Sequence, residues 1–119
     1  MTAPRINPAA LQRLLDVIGG DREDLQELLD DYLETAPRLV AEIRAGAEAR
    51  DPDAMRIAAH TLKSNAREFG AMKLSALCQD LEHACRDKTV TEPLAAADEI
   101  EAEERAASAA LAGTDHVDG

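Results

Sequence analysis

The sequence predicts an all-α fold, an antiparallel up-down-up-down four-helix bundle with an additional N-terminal helix packed over one end. The composition is dominated by Ala, Leu, Glu, Asp and Arg and is poor in the β-branched residues that favour strands. Apolar residues recur at helical spacing in segments that capping residues, prolines and glycines separate. A length of 119 residues accommodates one domain, predicted at residues 1–112, with a flexible C-terminal tail at residues 113–119.

The first predicted helix covers about residues 8–18. Asn7 is a capping residue, Pro8 takes the first helical position, and Gly19 and Gly20 end the helix. Its apolar stripe consists of Leu11, Leu14, Leu15 and Ile18. We expect this helix to cover one end of the bundle that the other four form.

The second helix is predicted between Asp21, which can cap it, and Ala49. Its apolar stripe consists of Leu25, Leu28, Leu29, Tyr32, Ala36, Leu39, Val40, Ile43 and Ala47. Pro37 lies inside this span and cannot donate a hydrogen bond to the carbonyl of Leu33. We therefore expect a kink or a break at this proline.

The third helix is predicted from Pro52, which follows the capping residue Asp51, to Phe69. Gly70 then permits a left-handed ending. The fourth helix is predicted at about residues 71–87 and has the cleanest apolar stripe. The inward-facing residues of these two helices are Met55, Ala58, Ala59, Leu62, Ala66 and Phe69, then Leu74, Leu77, Cys78, Leu81 and Cys85.

The fifth helix is predicted from Pro93 to about Leu111, and its stripe is weaker because Glu104 falls on it. The connections between the long helices are short, so sequential neighbours are expected to be antiparallel. Cys78 and Cys85 lie on one helix about 10 Å apart, too far for a disulfide, and both are expected to be buried thiols.

Charge and composition exclude several kinds of partner. Lys and Arg total 13 against 24 Asp and Glu, and the net charge of −11 argues against binding to a nucleic acid backbone. Tyr32 and Phe69 are the only aromatic residues, too few for base stacking. No apolar stretch is long enough to span a membrane or to act as a signal region. We therefore expect a cytoplasmic protein without nucleic acid or membrane partners.

The third helix carries a cationic strip on a different face from its apolar residues, and this face is expected to be exposed to solvent. The strip consists of Arg56, His60, Lys63, Ser64 and Arg67. From His60 onward its members follow the spacing i, i+3, i+4 and i+7, which places them on one side of a helix. A local reversal of charge on an acidic protein suits an incoming anionic group. The alternative is an ordinary solvated helix surface, since most exposed histidines and cations have no chemical role.

Residues 60–71 read HTLKSNAREFGA and resemble the signature of the histidine phosphotransfer (HPt) family, which is His-x-Leu-Lys-Gly, small residues and Gly-Ala. The resemblance continues into the fourth helix through Leu74, Leu77, Cys78, Leu81 and Glu82. It covers about residues 11–111 as a helix pattern and is specific at residue level over about residues 58–86. The family fold is the bundle predicted above.

One position departs from the family pattern, because Ser64 stands where the family has glycine. The family glycine keeps the surface low so that a partner can reach the histidine. Serine is small, so we expect this approach to survive. Its hydroxyl is also available to donate a hydrogen bond to a phosphoryl oxygen.

The resemblance implies a role for each site residue. His60 would be the nucleophile that accepts a phosphoryl group from a phosphoaspartate and passes it to another aspartate. Lys63 would offset the charge of the phosphoryl oxygens, with Arg67 assisting more distantly. Glu82 occupies the position from which the family orients the imidazole, and Arg86 is expected near the site. The partner would dock on the cationic strip and neighbouring parts of the second helix.

These features predict a stand-alone histidine phosphotransfer protein of a two-component phosphorelay. The expected partners are a hybrid sensor histidine kinase and the receiver domains of response regulators. We expect a monomer that is not an enzyme, has no kinase activity and holds no cofactor, with Mg²⁺ bound by the receiver. The alternatives are a non-catalytic adaptor bundle that docks a protein partner, and a metal-binding bundle suggested by Asp80-x-x-His83, which lacks a second such pair.

Overall fold

The computed structural model describes residues 5–113, and within them the chain forms five α-helices and no strands. The helices are α1 (Pro8–Val17), α2 (Arg22–Glu48), α3 (Pro52–Glu68), α4 (Met72–Arg86) and α5 (Pro93–Ala112). The all-α prediction is confirmed. The predicted tail lies outside the described residues except for Gly113, which follows α5.

Side-chain caps explain where the first three helices begin. Asn7 Oδ1 accepts a hydrogen bond from the Ala9 amide at 3.0 Å, which satisfies an unpaired donor in the first turn of α1. Asp21 and Asp51 make equivalent contacts at the starts of α2 and α3. Because these signals are local in sequence, the predicted starts are correct to within a residue.

α2 continues through Pro37 without a break. Of the two outcomes expected from the sequence, a kink or a break, the break is therefore wrong. The proline is exposed, whereas Ala36, Leu39 and Val40 beside it are buried in the core. Burial on both sides of the proline stabilises the helical path and offsets the lost hydrogen bond.

The core lies between α2, α3, α4 and α5, and α1 packs against α2 and α3. Tyr32 and Phe69 stack with their ring centroids 4.8 Å apart and thereby join α2 to the end of α3. Cys78 and Cys85 are buried free thiols, as expected, and burial raises the pKa of Cys78 to about 12. Within the described residues no helix is both long and apolar enough to cross a membrane.

Two adjacent carboxylates on α5 are buried. Glu104, which the sequence placed on the apolar stripe, is 3% exposed and accepts a hydrogen bond from Ser108 Oγ at 2.5 Å. Glu103 is 6% exposed and forms an ion pair with Arg5 near the N-terminus. These partners supply hydrogen bonds to the two buried carboxyl groups of α5.

The connection between α3 and α4 is a Schellman turn. Gly70 adopts a φ of +81°, its amide donates to the Arg67 carbonyl at 3.1 Å, and the Ala71 amide donates to the Ala66 carbonyl at 2.8 Å. The Gly70 carbonyl in turn accepts from the Asn7 amide at 2.8 Å. This turn therefore both ends the helix that carries His60 and holds the segment that precedes α1.

Candidate functional site

His60 lies on the outer face of α3 with 59% of its side chain exposed. Leu62, two residues later, is completely buried, so the register of the helix is fixed by the core. The imidazole is accessible to a second protein without any opening of the bundle.

Glu82 on α4 contacts both His60 and Lys63. Its Oε2 lies 2.8 Å from His60 Nδ1, and its Oε1 lies 2.6 Å from Lys63 Nζ. The Glu82 side chain is 15% exposed and that of Lys63 is 19% exposed, so the ion pair is largely shielded from solvent. One carboxylate thus holds the imidazole and the ammonium on the same side of α3.

Lys63 keeps the pKa of Glu82 below its usual range, chiefly through its hydrogen bond to the carboxylate. Partial burial acts in the opposite direction, and the contact with His60 lowers the pKa further. An ionised carboxylate can only accept hydrogen bonds, so His60 Nδ1 carries the hydrogen in this contact. In the neutral imidazole this tautomer leaves the lone pair on Nε2, which has no hydrogen-bond partner among residues 5–113.

The Lys63 side chain is less exposed than that of an ordinary surface lysine. Sequence spacing placed Lys63 on the exposed strip, but its side chain extends from α3 to Glu82 on α4. Its backbone carbonyl accepts a hydrogen bond from the buried Ser75 hydroxyl at 3.2 Å, which ties this part of α3 to α4. Sequence spacing within one helix contains no signal for a pair formed across two helices.

The remaining predicted site residues lie at different places. The Ser64 hydroxyl donates to the His60 carbonyl at 3.4 Å and is exposed, and Arg67 is exposed one turn further along α3. Arg56 forms an ion pair with Asp53 at 3.9 Å, whereas Arg86 forms one with Asp87 at 3.6 Å. In the described part of the chain, no hydrogen bond or ion pair connects Arg56 or Arg86 to His60, Lys63 or Glu82.

A groove between α1 and α3 adjoins the site, and the sequence did not predict it. Its lining residues are Ala10, Arg13, Leu14, Val17, Lys63, Ser64, Arg67 and Glu68. Val17 is 77% exposed, and Ile57, one turn before His60 on α3, is 59% exposed. These exposed apolar side chains on α1 and α3 are candidate contacts for a partner protein.

Between residues 5 and 113, no three His, Cys, Asp or Glu side chains come together in a way that could hold a metal ion. Asp80 and His83 are both exposed on α4.

Comparisons with known proteins identify the family and the fold. The family model for the Hpt domain matches residues 27–110. The structure of histidine-containing phosphotransfer protein B from Pseudomonas aeruginosa PAO1 is similar, with a TM-score of 0.84, 23% sequence identity, and coverage of 93% of this chain and 94% of that chain. A search of the curated proteins gave no match. Since the family model matches most of the sequence and α3 presents an exposed histidine within the matched segment, this chain belongs to the Hpt domain family.

Proposed function

We propose that this chain is an intermediate of a two-component phosphorelay that carries a phosphoryl group on His60. It accepts the group from a phosphoaspartate of a hybrid sensor kinase and passes it to the aspartate of a response-regulator receiver domain. Membership of the Hpt family supports phosphotransfer as the class of function. The observation that carries the assignment to His60 is its exposed imidazole, bound through Nδ1 to Glu82 at 2.8 Å with Nε2 unbound.

In the proposed reaction the Nε2 lone pair attacks the phosphorus of the phosphoaspartate. A bond between Nε2 and phosphorus forms, the bond between phosphorus and the aspartate oxygen breaks, and the aspartate leaves as a carboxylate. The imidazole ring gains positive charge because Nδ1 keeps its hydrogen. Glu82 offsets that charge, and the reverse steps return the group to another aspartate.

Lys63 and Ser64 are the residues proposed to interact with the phosphoryl oxygens. The ammonium of Lys63 is held by Glu82 one turn from His60, so it is positioned before the phosphoryl group arrives. The exposed Ser64 hydroxyl donates to the His60 carbonyl at 3.4 Å and would exchange this bond for one to an oxygen of the phosphoryl group. Arg67 adds positive charge at a greater distance.

We further propose that the receiver domain binds the Mg²⁺ used in the transfer and that this chain supplies no metal ligand. The chain is then a reactant in the relay and not a kinase, in agreement with the absence of a nucleotide-binding motif in the sequence.

The groove between α1 and α3 is the proposed docking surface for the receiver, together with Ile57. Leu14 and Val17 offer apolar contact area, while Arg13 and Arg67 offer positive charge to a partner that carries phosphoaspartate. From the sequence, we expected the partner to dock on the cationic strip and on neighbouring parts of the second helix. The docking surface proposed from the groove also includes α1, which the sequence did not suggest.

The test is phosphoryl transfer from a phosphorylated receiver domain to the purified protein. We expect an acid-labile phosphate on the parent protein and none on His60→Gln. His83→Gln is the matched control, because His83 is an exposed histidine on α4, and it should transfer like the parent. Undiminished transfer to His60→Gln would contradict the assignment, and absence of transfer to the parent from any receiver would favour an adaptor bundle.

A further inference from the structure

Residues 5–7 form a short strap that crosses one end of the bundle from α5 to α1. Arg5 Nε lies 2.9 Å from Glu103 Oε2 and its Nη2 lies 3.5 Å from Oε1. Ile6 is 8% exposed and belongs to the core. The Asn7 amide donates to the Gly70 carbonyl at 2.8 Å. The strap is therefore attached to α5, to the core and to the turn after α3.

Glu103 has no role in the proposed phosphotransfer site, yet it is a buried carboxylate. Such a group is stable inside a protein only when polar or charged partners satisfy it. Arg5 contributes two contacts, and Lys73 Nζ lies 3.7 Å from Glu103 Oε1. Lys73 is 68% exposed, so Arg5 is the principal partner. The buried carboxylate thus serves to anchor the strap.

The strap leads directly into α1. α1 has ten residues and buries Ala10, Leu11 and Leu15, and a helix this short is not stable by itself. Asn7 is both the last residue of the strap and the N-cap of α1. A strap fixed at Glu103 therefore fixes where α1 begins, and with it the placement of Leu14 and Val17 in the groove beside Lys63.

We propose that Glu103 is a positioning residue for receiver binding: through Arg5 it holds α1 in the place that completes the docking groove. The inference rests on the proposed function and deepens it, since it assigns to a residue remote from His60 a part in the recognition of the partner. It concerns binding of the receiver and leaves the transfer chemistry at His60 unchanged.

The test measures phosphoryl transfer as a function of receiver concentration, using a receiver domain that transfers to the parent protein. Arg5→Ala and Glu103→Gln should each raise the half-saturating receiver concentration roughly three- to tenfold, with the saturating rate changed by less than about twofold. Amide hydrogen exchange in α1 should be faster in both variants. Arg5→Lys, which keeps the charge, should lie closer to the parent than Arg5→Ala in both measurements.

Glu104→Gln is the matched control, because Glu104 is buried beside Glu103 but bonds to Ser108 and not to the strap. We expect it to leave α1 exchange and the half-saturating concentration unchanged. Arg5→Ala removes a side chain that is 44% exposed, so this variant should fold even if Glu103→Gln does not. Normal transfer by the parent with no change in Arg5→Ala would overturn this inference alone, as would an equal effect of Glu104→Gln. Absence of transfer by the parent would instead contradict the proposed function. In that case, unchanged amide hydrogen exchange in α1 of Arg5→Ala and Glu103→Gln would still show that Glu103 does not anchor the strap.

Discussion

At the scale of single residues, Glu82 is the centre of the site because its two oxygens contact different groups. Oε2 faces His60 Nδ1 and Oε1 faces Lys63 Nζ. The carboxylate therefore fixes the tautomer of the His60 imidazole and the position of the Lys63 ammonium at the same time. Replacement of either partner tests a separate part of the proposal.

Lys63→Ala removes the cation beside His60. Because charge neutralisation supplies much of the catalysis in phosphoryl transfer, we expect the rate to fall roughly ten- to a hundredfold while the helical circular dichroism is retained. Single-turnover transfer from a phosphorylated receiver measures this rate. Lys63→Arg keeps the charge and should retain more activity than Lys63→Ala. Transfer by Lys63→Ala at the parent rate would show that the ammonium does not act on the phosphoryl group.

Glu82→Gln tests the electrostatic argument through stability. The folded-state pKa of Glu82 lies below its ordinary value of 4.5, so the folded protein binds fewer protons than the unfolded chain as the carboxylate titrates. Its contribution to stability is therefore present above pH 4.5 and is lost as the pH falls through the lower folded-state pKa. We expect the parent to exceed Glu82→Gln in free energy of unfolding by about 1 to 2 kcal/mol at neutral pH.

Urea unfolding of both proteins across this pH range measures the difference, which should shrink on acidification below pH 4.5. Glu99→Gln, at an exposed position on α5, controls for the loss of one negative charge. A difference that grew on acidification would show that the sign assigned to the Glu82 shift is wrong.

The sequence identified His60 because the motif around it is contiguous, and it placed Glu82 near His60 by alignment with the family. It did not predict the contact between Lys63 and Glu82 or the burial of Glu103. Both depend on side chains from two or more elements, and spacing within one helix carries no information about them. The exposure of Ile57 was missed because an isolated apolar residue on a charged face gives no periodic signal.

At the scale of elements, helix starts were predicted well where a side chain caps the helix, as Asn7, Asp21 and Asp51 do. The outcome at Pro37 depended on burial of the residues around it, which is a tertiary effect. The sequence also predicted the left-handed ending at Gly70. It could not predict that Asn7 packs against that turn, since the two residues come together only in the folded chain.

Gly70→Ala tests that packing. A Cβ at this position would lie 2.6 Å from the Asn7 carbonyl oxygen, and the residue already has a φ of +81°. We expect Gly70→Ala to lower the free energy of unfolding by about 3 kcal/mol, from backbone strain of about 1 to 2 kcal/mol together with the steric contact. Gly19→Ala is the matched control, because Gly19 has a φ of +92° but no atom within 4 Å of the added Cβ. Urea unfolding should show a smaller decrease in the free energy of unfolding for Gly19→Ala than for Gly70→Ala. Equal decreases in the two variants would refute close packing of the strap on Gly70.

At the scale of the whole molecule, the net charge of −11 contrasts with the cations that line the groove between α1 and α3. Arg13 comes from α1, whereas Lys63 and Arg67 come from α3, which begins more than thirty residues after α1 ends. Composition showed that the protein is acidic, but only the placement of α1 on α3 brings these cations together. The proposed docking surface is therefore a property of the assembled bundle.

The docking proposal predicts that the exposed apolar residues beside His60 contribute to receiver affinity. Ile57→Ser and Val17→Ser each remove apolar area that a bound receiver would bury, so each should raise the half-saturating receiver concentration roughly three- to tenfold. The saturating transfer rate should be unchanged, because neither side chain has a part in the proposed transfer chemistry. Leu94→Ser is the control: Leu94 is 47% exposed at the start of α5, where it lines a different groove with residues of α2. If Leu94→Ser weakened transfer as much as Ile57→Ser and Val17→Ser, general loss of apolar surface would explain the effect and the receiver would not dock between α1 and α3.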